Sequence, residues 1–108
     1  MKQTKLIPEV IIMTLNINNQ LRLLHDILDE QNIDCFASVS EYQQIKRLVK
    51  SMLASNSITD VHLLNLLPEI YNYGRQGESV QSQPDHITLN KNNLDNWISA
   101  IQQNTTIE

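Results

Sequence analysis

The chain has little of several things that particular functions require. Two glycines in 108 residues are too few for phosphate loops, dinucleotide-binding turns or a hairpin-rich β protein, all of which need positive φ repeatedly. One cysteine cannot form an internal disulfide, and with no secretory signal this points to a reducing, cytoplasmic setting. Eight lysines and arginines stand against twelve acids, giving a net charge of −4. Binding a nucleic-acid backbone takes clustered cations, so this balance argues against it. The densest basic group, Lys46, Arg47 and Lys50, reads as one solvated helix face. No run approaches the ~20 apolar residues of a membrane span. Twelve Asn and ten Gln supply most of the polarity that charge does not, a bias that carries no function by itself.

What is present is helical periodicity. Leu21, Leu24, Ile27 and Leu28 make one apolar stripe of a helix over about 18–31, with Asn16, Asn18 and Asn19 as N-cap choices. Residues 31–37 read as a loop. Ser38-Val39-Ser40-Glu41 has capping-box spacing and precedes Ile45, Leu48, Val49, Met52 and Leu53, predicting a second helix over 39–54. Ser57 with Asp60, or Thr59 alone, is expected to cap a third helix carrying Val61, Leu63, Leu64, Leu66, Leu67, Ile70 and Tyr71. At 100° per residue these cover an arc of roughly 220°, about twice a normal surface stripe. The third helix is therefore central, or it serves a partner. Pro68 sits inside it, which predicts a kink, and Gly74 is placed as its C′ stop. Residues 75–83 read as a flexible loop holding Gly77. A last helix is expected from His86, on a stripe of Leu94, Trp97, Ile98 and Ile101, with Ile87 and Leu89 at its start. The expectation is an all-α domain, a small bundle of about four antiparallel helices spanning 13–108.

Residues 1–12, MKQTKLIPEVII, are expected to be a non-native leader or a disordered extension, with Met13 as the start. Pro8 and Glu9 interrupt the apolar run, and no small-residue cleavage site follows, so a signal peptide is rejected. Pro8 to Met13 can be encoded with a ribosome-binding string roughly eight nucleotides before the Met13 codon, the kind of segment to leave out of fold reasoning.

The segment Asp34-Cys35-Phe36-Ala37-Ser38-Val39-Ser40-Glu41, continuing through Gln44 to Arg47-Leu48-Val49-Lys50-Ser51-Met52, resembles the YtzH-like family of small uncharacterised bacterial proteins. The likeness starts at Met13, includes Leu23, Leu24, Asp26 and Ile27, and extends weakly to Trp97. The resemblance implies a small cytosolic protein of a spore-forming or related low-GC bacterium. It brings no assigned activity, substrate or partner, and so no functional residues to carry over.

The residues themselves offer no catalytic constellation, and no enzyme activity, cofactor or metal is expected. His25, His62 and His86 fall on separate segments without the i+3 or i+4 partner that builds helical metal sites. No Glu stands three before a His, and an EF-hand loop is absent. Asp26, Asp29, Glu30 and Asp34 form the one notable charge cluster, either a solvated face or, functionally, a docking surface for a basic partner or a loose divalent-cation site. Three readings of function follow. The first is a non-catalytic protein-interaction or regulatory module, acting on a protein partner or as a homodimer, with Val61, Leu64, Tyr71 and Tyr73 of the third helix as the contact residues. The second is a redox sensor using Cys35, which lies just before a helix N-terminus where thiols are activated, although Asp34 opposes that. The third is a small-molecule pocket between helices near Trp97.

Overall fold

A computed structural model describes residues 15–105; the expected leader of residues 1–12 and the Met13 start lie outside the described residues. Five helices follow one another: α1 (Ile17–Asp34), α2 (Val39–Ser55), α3 (Val61–Gly77), α4 (Gln83–Leu89) and α5 (Lys91–Gln103). Among the described residues there is no strand. The all-α expectation stands, with five helices where about four were expected.

The first four helices each start on a short polar side chain that accepts from a first-turn amide, whereas Asn90 at the start of α5 makes no such bond. Asn16 Oδ1 accepts from the Asn19 amide at 2.8 Å. Ser38 Oγ accepts from the Glu41 amide at 3.2 Å. The Glu41 carboxylate leaves the capping box half closed and accepts from Gln31 Nε2 instead, at 3.3 Å. Asp60, rather than Ser57 or Thr59, caps α3 through the amides of His62 (2.8 Å) and Leu63 (3.4 Å). Ser82 caps α4, which carries Pro84 in its first turn, where a missing N–H costs nothing.

Two glycine placements are corrected. Gly74 does not stop α3; the helix runs on to Gly77, and both glycines are buried within it with no positive φ. They are needed for close approach. A Cβ on Gly74 would lie 3.1 Å from Lys46 Cγ and from the Tyr42 carbonyl oxygen. A Cβ on Gly77 would lie 2.5 Å from Cδ1 and Cζ of the Tyr42 ring and closer still to Cε1. The positive-φ positions go to Cys35 (53°) and Asn56 (57°) instead, behind the C-termini of α1 and α2. Such left-handed residues reverse the chain, and the Cys35 amide donates back to the Gln31 carbonyl at 2.9 Å.

The expected last helix divides at Asn90. This residue ends α4 and begins α5, its Nδ2 donating to the His86 carbonyl at 2.9 Å and its carbonyl accepting from the Leu94 amide at 2.7 Å. The break turns Ile87 into the core together with Leu94 and Trp97, and leaves Leu89 84% exposed.

Packing closes the four long helices into a ring. α2 packs most extensively on α3 and α1 on α5, while α1 against α2 and α3 against α5 complete the circuit; the short α4 rests on α5. The largest buried side chains are Trp97, Tyr42 and Tyr73. α3 therefore buries Leu63, Leu66, Leu67, Ile70 and Tyr73, which accounts for most of its broad apolar arc.

Candidate functional site

The ring encloses a cluster of aromatic and polar side chains. Tyr73 stacks on His86 (centroids 4.8 Å apart, planes 11°), and Tyr42 meets both edge-on at 5.5 and 5.6 Å. Tyr73 also leans on Trp97 at 5.4 Å. The Tyr73 hydroxyl donates to Gln31 Oε1 at 2.7 Å, whose amide nitrogen donates to Glu41. His86 Nε2 donates to the Tyr73 carbonyl at 3.2 Å. Trp97 Nε1 donates to Glu69 Oε1 at 3.3 Å. Burial pushes the phenols of Tyr42 and Tyr73 upward, Tyr73 far beyond any biological pH and further so beside Tyr42. Neutral phenols inside a core, that of Tyr73 bonded to Gln31, position helices and offer no nucleophile or base.

The third-helix candidates separate. Tyr73 is 2% exposed and belongs to the core, so it is unavailable as a surface contact. Leu64 and Tyr71 are half-buried against that core. Val61 is exposed but sits in the first turn, about 15 Å along the axis from Tyr71 at 1.5 Å per residue. The four do not form one patch. Cys35 is half-buried behind the C-terminus of α1. His25 lies near Asp26 (3.2 Å) and Gln102 (3.1 Å), while His86 is in the core. Among the described residues no group of three His, Cys, Asp or Glu is placed to hold a metal ion.

The turn between α1 and α2 holds what the sequence reading passed over as a loop. Ala37 is buried there, whereas Ile33 (71%), Phe36 (63%) and Val39 (47%) face outward. Acidic residues lie on the same two helices: Asp26, Asp29, Glu30 and Asp34 on α1, and Glu41 on α2, with Glu30 and Asp34 close enough to Glu41 to act on it. The last turn of α1 carries no basic residue. The cation that reaches it comes from α5, where Lys91 Nζ donates to the Asn32 carbonyl and to its Oδ1. Asn32 in turn donates to Asp95 at 2.9 Å, which places the start of α5 beside this turn. Burial raises the Glu41 carboxyl above the usual carboxylate range; Gln31 opposes this, and Glu30 and Asp34 add to it. These acids thus share one field across the two helices. The signal available in the sequence was a lone Phe between two amphipathic stripes and belonging to neither.

Two clefts open on other faces. One, of about 220 Å³, lies between α3 and α5 and is lined by Glu69, Asn72, Gln76, Asn90, Asn93 and the edges of Tyr73 and Trp97. This is the region where a pocket was expected, and it is polar and without a cation. The other, of about 300 Å³, runs between α2 and α3 past Lys46, Arg47, Lys50 and Tyr71.

Fold and surface together define a small all-α domain in which four long helices form a ring. No described helix is long and apolar enough to cross a membrane. The chain belongs to the YtzH-like protein family, which it matches over residues 15–101. It is 36% identical over 89 residues to the "Uncharacterized protein YtzH" of Bacillus subtilis (strain 168), covering 82% of this chain and 96% of the relative. No solved structure matches it.

Proposed function

We propose that this protein is a non-catalytic, cytoplasmic interaction module that docks a partner protein on the corner between α1 and α2. The observation that carries the reading is the outward-facing trio Ile33, Phe36 and Val39 at the junction of two helices that carry acids. Burying one large apolar side chain on binding is worth ~1.5–3 kcal/mol, and aromatic anchors dominate interfaces. The acids of this corner, among them Asp29, Asp34 and Glu41, select the sign of the partner, because opposite charges across an interface are complementary. The partner is therefore a segment presenting apolar side chains flanked by Lys or Arg. The third helix fits this role less well, since most of its apolar surface faces α2 and α5.

The test is affinity capture with the full chain, comparing wild type with Phe36→Ser and with Asp34→Asn. Both positions are exposed, so the fold should persist, as circular dichroism would verify. The expected result is a partner held by wild type, lost with Phe36→Ser, and weakened by Asp34→Asn and by salt. Retention of the same partner by Phe36→Ser would overturn the reading. So would light scattering that shows a stable homodimer sealing this corner.

A further inference from the structure

We infer that the groove between α2 and α3 is a binding site for a small organic phosphate monoester. It is separate from the docking corner and does not depend on it. One wall carries Lys46, Arg47 and Lys50, three of the eight lysines and arginines of a chain whose net charge is −4. Like charges one turn apart on a helix repel by a few tenths of a kcal/mol, so their grouping has a local cost. Glu78, on the facing wall, pairs with Lys46, so the lining holds three cationic side chains and one carboxylate. Gln43 adds an amide, and Tyr71 faces them from α3. The Tyr71 ring packs against the core, which holds its phenol in place.

Gly74 sets how closely Lys46 lies against α3. The stem of Lys46 lies where a side chain at 74 would project, with only 3.1 Å between Lys46 Cγ and an added Cβ. The lining is thus rich in donors, with ammonium, guanidinium, amide and phenol groups against one carboxylate. A phosphate monoester is the matching complement, with nearly two negative charges and three acceptor oxygens at neutral pH. The volume of about 300 Å³ exceeds what inorganic phosphate fills and sits at the lower end of small-ligand pockets. The cleft between α3 and α5 has no cation and lacks this match.

The test is a titration of the full ¹⁵N-labelled chain, followed by amide chemical shifts, with phenyl phosphate, inorganic phosphate and sodium chloride at matched ionic strength. Phenyl phosphate is expected to give saturable shifts at residues 43–50 and 71–74, with inorganic phosphate about fivefold weaker or more and chloride without effect. Lys50→Glu is expected to weaken phenyl phosphate about tenfold or more, with peak dispersion unchanged. Should that variant fail to fold, Lys50→Gln is expected to weaken it about threefold. Non-saturating shifts, the same response to chloride, or unchanged affinity in a folded Lys50 variant would overturn the site. Equal affinity for the two phosphates would overturn the organic part of the assignment.

Discussion

Adding one methyl group at Gly77 tests how α2 and α3 meet. The new Cβ would stand 2.5 Å from two Tyr42 ring carbons, whereas carbon atoms rest at about 3.5–4.0 Å. Something must move by about 1 Å. Tyr42 is fully buried and its ring is held by Tyr73 and His86, so it has no free direction. Overpacking of this kind costs about 1–3 kcal/mol. Against it stands the intrinsic advantage of Ala over Gly, about 1 kcal/mol in a helix interior and less at Gly77, the last helical residue. Gly77→Ala is therefore expected to destabilise the fold by about 1–2 kcal/mol and to lower Tm by about 5–10 °C for a domain of this size. Urea denaturation followed by circular dichroism measures this directly. The mechanism is isolated in a double-mutant cycle with Tyr42→Leu, where the ring is gone and Gly77→Ala becomes neutral or slightly stabilising. A rise in Tm on Gly77→Ala, or an equal loss in both backgrounds, would refute the close-packing argument.

Further expectations follow from the buried polar cluster. Tyr73→Phe removes the donor to Gln31 Oε1 and strands a fully buried amide oxygen, so a loss of about 1–3 kcal/mol is expected by urea denaturation. Tyr42 and Tyr73 have phenols raised in the fold. Their contribution to stability is complete below the unfolded tyrosine value near 10 and declines as pH climbs past it. In an alkaline titration, phenolate absorbance from these residues should therefore appear together with loss of helical ellipticity; ionisation of all three tyrosines with the helices intact would contradict their burial. Glu41 also has a raised folded value, so its contribution is present below the ordinary glutamate range and lost as pH rises through the folded value. Glu41→Gln should leave stability at pH 7 no lower than wild type and should flatten its pH dependence between the ordinary glutamate range and neutrality.

Much of the architecture is local and could be read in one dimension. The stripe Leu21, Leu24, Ile27 and Leu28 is buried on α1, as are Ile45, Leu48, Val49 and Met52 on α2. Ser38 caps where its spacing indicated. The boundary errors share a cause. Gly74 was assigned by its conformational freedom, yet its use is the absence of a side chain opposite Lys46 and Tyr42. Cys35 occupies the left-handed position at the end of α1, a place that residue preferences would have given to Gly or Asn. Asn90 divides the last helix because Ile87 and Trp97 must both reach the core, a demand that no local pattern states.

The candidate surfaces were less legible. The acidic cluster on α1 was visible, but Phe36 acquires meaning only because Ala37 turns inward beside it. Lys46, Arg47 and Lys50 read as a solvated face until α3 supplies the opposite wall with Tyr71 and Glu78.

By itself, then, the order of residues determined the all-helical class, the apolar stripes of α1 and α2, the Ser38 cap and the absence of a membrane-length apolar run. These depend on neighbours within a turn or two, which interact whatever the rest of the chain does. Tertiary structure alone decided that the four long helices close into a ring, that Tyr73 lies inside and Phe36 outside, and that two glycines bring α2 against α3. These outcomes rest on the fit between side chains far apart in sequence, such as Tyr42 against Gly77, and a helical period specifies a face without specifying what will cover it.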